Sequence, residues 1–189
     1  MRPPDGRLVV VAGPSGVGKG SVLTALRTRY PDLVYSVSAT TRQPRTGEQD
    51  GVDYHFITDG QFDNLIATNG LLEWAQYAGT RYGTPRQPVL DALALGKTVL
   101  LEIELAGARQ VRQSYPQALQ VFIAPPSWDE LERRLRDRGA ETQAQMDIRL
   151  ATAKSELAAE GEFDAVVIND DLTRAVDDLV ILLSLAKGQ

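Results

Sequence analysis

Cysteine is absent from this chain of 189 residues, and histidine occurs once, at His55. Without cysteine the chain can form no disulfide, no thiolate metal site and no thiol nucleophile. The single histidine excludes mechanisms that need two, and its place beside Tyr54 in a predicted strand favours a structural role. Lysine is also scarce, with four residues against sixteen arginines. Arginine suits bidentate binding of phosphate, although codon usage explains the bias equally well.

Long hydrophobic runs are missing as well. The first seven residues contain two prolines and a glycine and no apolar signal core, and the apolar run near the end covers only residues 179–183. A transmembrane helix needs about 20 apolar residues. We therefore expect a soluble, cytoplasmic protein that binds neither membranes nor nucleic acid. The number of subunits is left open.

The formal net charge is −5, and its distribution matters more than its sum. Residues 156–178 contain eight acidic residues and one arginine, so the rest of the chain is slightly basic. A negative average charge disfavours anionic ligands only if it is spread evenly. The sequence is therefore compatible with a local site for anions.

Four short apolar runs, at 8–12, 98–103, 119–123 and 165–168, predict buried strands of a parallel sheet. Each run precedes a helical pattern, and the helix after 165–168 is expected to continue to 185. Alternating strands and helices are typical of doubly wound α/β proteins.

Two regions interrupt this alternation. Within residues 35–97, strands at 35–39, 52–57 and 71–77 and a helix at 58–68 predict a mixed α+β insert. Residues 137–150 are charged and have little apolar pattern, which favours an irregular, mobile lid.

A glycine-rich loop follows the first predicted strand and opens a helix, as a phosphate-binding loop requires. Its glycines let backbone N–H groups surround a phosphate, the helix N-terminus adds positive potential, and the lysine reaches the β- and γ-phosphates. The position after the lysine carries glycine where serine or threonine usually ligates magnesium, so we expect Mg²⁺ to be held mainly by ATP and water. The candidate ATP-binding residues of the loop are Gly13, Pro14, Ser15, Gly16, Val17, Gly18, Lys19, Gly20 and Ser21.

Further motifs carry a resemblance to a known family. They are Ser36-Val-Ser-Ala-Thr-Thr-Arg-Gln-Pro-Arg45, Gly51-Val-Asp-Tyr54, Glu73-Trp-Ala-Gln76, Tyr82-Gly-Thr84, Ile123-Ala-Pro-Pro-Ser127, Arg138-Gly-Ala-Glu-Thr142 and Val167-Ile-Asn-Asp-Asp171. Together with the loop, they resemble guanylate kinase over residues 7–186. The resemblance implies a P-loop NTPase-type α/β fold with helices on both faces of a parallel sheet. It also implies Mg²⁺-dependent transfer of the ATP γ-phosphate to GMP, and to dGMP as well.

The resemblance also implies three parts of the chain. The core with the ATP-binding loop comprises residues 1–34, 98–132 and 157–189, the GMP-binding insert comprises 35–97, and the lid comprises 133–156. The family closes such mobile parts over its substrates to exclude water.

Roles in GMP binding follow from the same resemblance. Two arginines and two tyrosines would hold the GMP phosphate, and a carboxylate with two hydroxyls would read guanine. An ionised carboxylate can accept hydrogen bonds from both N1–H and N2–H₂ of guanine, whereas adenine offers an acceptor at N1. The GMP-binding candidates are Arg42, Arg45, Tyr54, Tyr82, Ser38, Glu73, Thr84 and Glu104.

Other positions are expected around ATP and the transferred phosphate. Where the family usually has Asp-x-Asp, this chain has Glu102-Ile-Glu104. By resemblance, Glu102 is expected near the magnesium–phosphate region, where it and Ser21 would contact the ion indirectly. Both glutamate side chains are one methylene longer than the usual aspartates. The catalytic candidates are Lys19, Arg138 and Arg149, and the remaining ATP-binding candidates are Arg134, Asn169 and Asp170.

Two other functions stay open at this point. The chain could be a guanylate-kinase-like module that binds phosphopeptides without catalysis, although the intact lysine loop and lid arginines disfavour this. It could also phosphorylate another nucleoside monophosphate. Whether the acceptor is GMP or another nucleoside monophosphate, the attacking phosphate oxygen is already anionic. The single histidine and the absence of cysteine are therefore no obstacle to catalysis.

Overall fold

A computed structural model describes residues 6–77, 79–137 and 142–184, and the strands of this part of the chain form two sheets. The first sheet contains β1 (Arg7–Ala12), β2 (Val34–Tyr35), β7 (Thr98–Glu102), β8 (Leu119–Ala124) and β9 (Ala165–Ile168). These five strands are parallel, in the order β2-β7-β1-β8-β9. The predicted α/β class with a parallel sheet is confirmed.

The apolar runs locate four of these strands to within a residue or so at each end. Continuous burial explains the pattern in β1, β7 and β8, because a strand covered on both faces needs no polar alternation. Val9, Val10 and Val11, for example, have no exposed surface. The prediction of a buried strand was wrong for β9, where only Val167 is buried and Val166 and Ile168 are 40% and 42% exposed. The fifth strand, β2, was not predicted in this sheet. It has only two residues, and pairing with Val99 and Leu100 of β7 defines it.

The second sheet contains β3 (Ala39–Thr40), β4 (His55–Phe56), β5 (Leu71–Tyr77) and β6 (Thr80–Pro85), in the order β4-β3-β6-β5. β3 and β4 are parallel, and β6 runs antiparallel to both β3 and β5. The predicted strand 71–77 is confirmed. The predictions for 35–39 and 52–57 were too long, because only short pieces of each segment meet a partner strand.

Helices connect these strands. They are α1 (Lys19–Arg29), α2 (Asp59–Ala67), α3 (Arg86–Ala94), α4 (Leu105–Ser114), α5 (Trp128–Asp137), α6 (Gln143–Leu157) and α7 (Leu172–Leu182), with a 3-10 turn at Glu160–Glu162. α2 begins with a capping box formed by Thr58 and Gln61. α7 ends three residues before the predicted limit.

The prediction that residues 137–150 are irregular was wrong from Gln143 onward, where α6 begins. Thr142 and Gln145 form a capping box at its N-terminus. Only Met146 and Ala153 of this helix are buried, so its apolar stripe is too thin to be read from the sequence.

The described residues divide into two compact units. The first comprises residues up to Val9, Leu33–Leu101 and Ala106–Ala118, and it contains the second sheet and α4 from its second residue onward. Its satellite core is built on Ala39, Phe62 and Leu71. The second unit comprises Val10–Asp32, Glu102–Leu105 and the described chain from Leu119. None of the helices in the described ranges is long and apolar enough to cross a membrane.

Candidate functional site

The glycine-rich loop lies in the second unit, between β1 and α1. Gly13 has φ 148° and Gly18, at the N-cap of α1, has φ 95°. A Cβ on Gly13 would lie 2.3 Å from the carbonyl oxygen of Ile123, and one on Gly18 would lie 2.6 Å from Nδ2 of Asn169. Both positions therefore require glycine, for the backbone conformation and for the close neighbours.

The ammonium group of Lys19 folds back over this loop. Its Nζ donates to the carbonyl oxygen of Gly13 at 2.5 Å. Burial lowers the pKa of Lys19, and the nearby carboxylates of Glu156, Glu102 and Glu104 act in the opposite direction. The structure thus brings both predicted strand-end glutamates into electrostatic range of the predicted catalytic lysine.

Glu156, from α6, also reaches the loop, and sequence reasoning missed it. Its Oε2 accepts a hydrogen bond from the backbone N–H of Ser15 at 3.1 Å. Burial raises the pKa of Glu156, while the Ser15 hydrogen bond and Lys19 act to lower it. A carboxylate therefore contacts a backbone donor of the loop predicted to bind phosphate. No local sequence signal marks this residue.

Arg134 and Asn169 stabilise the loop through hydrogen bonds. Arg134 donates to the carbonyl oxygens of Val17 at 3.2 Å and Asn169 at 3.1 Å. Nδ2 of Asn169 donates to the same Val17 oxygen at 2.8 Å. Asp170 pairs with Arg174. These contacts hold Val17, near the end of the loop, against the segment that precedes α7.

A cleft of about 440 Å³ opens beside these residues. The residues that line the cleft come from the loop, from α5 and from the start of α7. The lining residues are Gly16, Gly18, Ser21, Arg134, Asp137, Asn169, Asp170 and Leu172. Six of these eight positions are ATP-binding candidates from the sequence, so the structure gathers them in one place.

The start of α1 has room for a further side chain. A Cβ on Gly20 would meet no atom within 4 Å, and the neighbouring Ser21 is exposed. Glu102, also exposed, ends β7. Among the described residues no group of three or more histidine or acidic side chains could hold a metal ion.

The two arginines predicted for the lid are Arg149 and Arg138. Arg149 lies on α6 and is half-buried. Arg138 lies outside the described residues.

In the first unit, Arg42 forms a two-pronged ion pair with Glu48. Its Nη1 and Nη2 donate to the two carboxylate oxygens at 2.6 and 2.7 Å. The guanidinium also lies over the ring of Tyr54, 4.9 Å from its centroid, and the Tyr54 ring meets Tyr82 edge-on at 6.0 Å. Three of the four predicted phosphate-binding side chains are therefore clustered.

Glu48 is the second acidic residue that sequence reasoning missed. It accepts a further hydrogen bond from the backbone N–H of Arg45 at 2.7 Å, while the Arg45 side chain is exposed. The hydrogen bonds from Arg42 and Arg45 lower the pKa of Glu48 to about 2. An acidic residue three positions after Arg45, in a basic segment, was the available signal.

Glu73 and Thr84 form a second polar cluster in this unit. Glu73 is 7% exposed, and Oγ1 of Thr84 donates to its Oε1 at 2.6 Å. A carboxylate buried to this extent needs hydrogen-bond donors. Ser38 directly precedes β3, and its carbonyl oxygen accepts from the backbone N–H of His55.

Comparisons with known proteins all find the same family. The sequence model of the guanylate kinase family matches residues 5–185. A guanylate kinase of Synechococcus sp. (strain JA-3-3Ab) is 56% identical over 193 residues, covering 100% of this chain and 89% of that protein. One from Thermobifida fusca (strain YX) is 55% identical over 183 residues, covering 97% and 93%. The crystal structure of guanylate kinase from Anaplasma phagocytophilum is 30% identical, with a TM-score of 0.74, and the match covers 100% of this chain and 90% of that one.

Proposed function

The chain belongs to the guanylate kinase family, and we propose that it transfers the γ-phosphoryl group of ATP to GMP, with dGMP as a second acceptor. The observation that carries the choice of guanine is the buried carboxylate of Glu73, held by Thr84. ATP and GMP are the proposed partners, and the cytoplasm, where both nucleotides occur, is the proposed location.

Guanine recognition is assigned to Glu73, Thr84 and Ser38. The ionised carboxylate of Glu73 would accept from N1–H and N2–H₂ of guanine. Adenine would place a lone pair against it, and a buried carboxylate oxygen that faces an acceptor is strongly unfavourable. Glu104 is assigned to the guanine edge by resemblance to the family.

Binding of the GMP phosphate is assigned to Arg42, Arg45, Tyr54 and Tyr82. Guanidinium groups and phenol hydroxyls donate to a dianionic phosphate. Glu48 supports this assignment, because its ion pair orients the guanidinium of Arg42. We infer that Glu48 keeps the arginine in place for the incoming phosphate.

Binding of ATP is assigned to the loop and to the cleft beside it. The loop amides and Lys19 would hold the β- and γ-phosphates, since this geometry concentrates backbone donors at a helix N-terminus. Arg134, Asn169 and Asp170 line the cleft and are assigned to the adenosine side.

The donor set fits a magnesium ion that keeps most of its ligands from ATP and water. Ser21 and Glu102 are the residues that would hold it, because hydroxyl and carboxylate oxygens suit this hard cation. Bound Mg²⁺ supplies charge neutralisation at the β- and γ-phosphate oxygens. Gly20 has no side chain and therefore offers no side-chain oxygen, so the loop ligates magnesium less directly.

The reaction needs positioning and charge compensation rather than a general base. An oxygen of the GMP phosphate attacks the γ-phosphorus, the bond to the bridging oxygen breaks, and ADP leaves without any proton being removed from GMP. Lys19 and the lid arginines Arg138 and Arg149 would stabilise the negative charge on the equatorial oxygens. The lid is assigned to residues 133–156.

The proposal is tested by measuring transfer from ATP to GMP, dGMP, AMP, CMP and UMP. We expect GMP to be the best acceptor and Glu73→Gln to reduce kcat/KM for GMP more than for any other. Tight phosphopeptide binding without turnover would instead identify a non-catalytic module. Preference for another monophosphate would refute the guanine assignment.

A further inference from the structure

The carboxylate of Glu73 lies directly against Gly107, a helical residue that the proposed reaction does not use. A Cβ built on Gly107 would lie 2.7 Å from Oε2 of Glu73, 3.3 Å from its Cδ and 3.4 Å from its Cγ. The first distance is shorter than any normal contact between a carbon and an oxygen atom. With the Glu73 carboxylate in this place, position 107 of α4 has room only for glycine.

The strand that carries Glu73 is shaped to bring its side chain to this place. Leu71, Leu72 and Glu73 are buried in succession, whereas a regular strand turns alternate side chains to opposite faces. The pairing of β5 with β6 shifts between Leu71 and Trp74, which places a bulge at Leu72 and Glu73. Bulges redirect side chains, often beside functional sites.

Helix α4 also holds the residues on both sides of Glu73. Gln110 accepts from the backbone N–H of Trp74 at 3.0 Å and donates to its carbonyl oxygen at 2.8 Å. Ser114 donates to the carbonyl oxygen of Leu72 at 2.7 Å. β5 is the last strand of its sheet, so these side chains satisfy edge groups that another strand would otherwise pair. The backbone around Glu73 therefore cannot shift freely away from α4.

We propose that Gly107 is a positioning residue for guanine specificity, because its missing side chain lets the Glu73 carboxylate lie between α4 and Thr84. Helix stability alone would favour alanine over glycine at this interior position. The inference depends on the proposed function, in which Glu73 reads guanine. The new element is that guanine recognition by Glu73 depends on Gly107, a residue of α4 that has no side chain to contact the base.

The first test is Gly107→Ala. The methyl group displaces the carboxylate, so we expect KM for GMP to rise by about tenfold or more, with a smaller change in kcat and KM for ATP within about twofold. The ratio of kcat/KM for GMP over IMP should fall, because IMP lacks the 2-amino group and loses one contact fewer. Gly60→Ala in α2 is the matched control, since its added Cβ meets no atom within 4 Å. It should leave all these values unchanged.

A double variant tests the contact itself. Glu73→Asp shortens the side chain by one methylene, so in that background Gly107→Ala should change KM for GMP by less than about threefold. If Gly107→Ala fails to fold, restored folding in the double variant supports the contact, and an unfolded double variant overturns it. Wild-type GMP affinity and GMP/IMP ratio in Gly107→Ala would also overturn the inference. Absence of GMP phosphorylation by the unaltered protein would instead contradict the proposed function.

Discussion

The backbone N–H of Ser15 donates a hydrogen bond to the carboxylate of Glu156, a residue 141 positions later in the chain. The contact puts an anion in the loop that we assign to phosphate binding. Lys19 is close enough for each residue to influence the pKa of the other. The loop amide therefore donates to a carboxylate, and we expect ATP to compete with that carboxylate for the amide.

Glu156→Gln should strengthen ATP binding. The amide is a weaker acceptor and carries no charge beside the phosphates, so we expect a Kd about three- to tenfold lower, equivalent to about 1 kcal/mol. Calorimetric titration with a non-hydrolysable ATP analogue measures the change. Glu160→Gln, nearby in the chain, is the control for net charge and should bind like the unaltered protein. Weaker binding by Glu156→Gln would show that the carboxylate assists the nucleotide.

The same displacement predicts a pH dependence. Burial raises the pKa of Glu156, so its neutral form appears at a higher pH than for an exposed glutamate. As the pH falls through this raised pKa, the competing charge is lost. We expect the advantage of Glu156→Gln in ATP affinity to shrink as the pH is lowered from 8 towards 5. An advantage that grows with acidity would contradict this competition.

Lys19→Ala should abolish transfer while leaving GMP binding largely intact. Removing the cation costs charge stabilisation at the transferred phosphate, and kcat should fall by about a thousandfold or more. Turnover assays and GMP titration separate the two effects. Lys97→Ala, an exposed lysine after α3, is the control and should retain kcat. Retained turnover in Lys19→Ala would refute the role assigned to the lysine.

Glu48 should contribute to stability only above acidic pH. Hydrogen bonds from Arg42 and Arg45 hold its pKa at about 2, below the ordinary 4.5. A lowered folded-state pKa means that the contribution is present above pH 4.5 and is lost as the pH falls towards 2. In urea unfolding, the unaltered protein should therefore exceed Glu48→Gln at pH 7, and the difference should shrink below pH 4.5. A difference independent of pH would assign the effect to packing instead.

Gly20→Ser should reduce the Mg²⁺ concentration needed for half-maximal activity. The position has open space for a side chain, and a hydroxyl there adds a hard oxygen donor at the loop. We expect a shift of about threefold or more in the magnesium titration of turnover. Gly20→Ala is the matched control, because it adds the carbon without the oxygen. Equal shifts in both variants would attribute the effect to the helix N-terminus rather than to metal ligation.

Local patterns account for what could be predicted of the fold. Apolar runs located β1, β7 and β8, because a strand buried on both faces is apolar along its whole length. The run at 165–168 located β9 as well, although only Val167 of that strand is buried. The short strands β3 and β4 and the helix α6 could not be located in this way. Two-residue strands exist only through their partners, and α6 buries too few residues to produce a periodic signal.

By itself the sequence determined the phosphate loop and the family motifs, since both depend on residues that are close together in the chain. The tertiary structure alone decided which carboxylates meet these motifs. Glu156 reaches Ser15 from another helix, and Gly107 lies under Glu73, 34 residues away along the chain. Such pairs are set by how helices and sheets pack, and a single glycine inside a helix leaves no chemical pattern in the sequence.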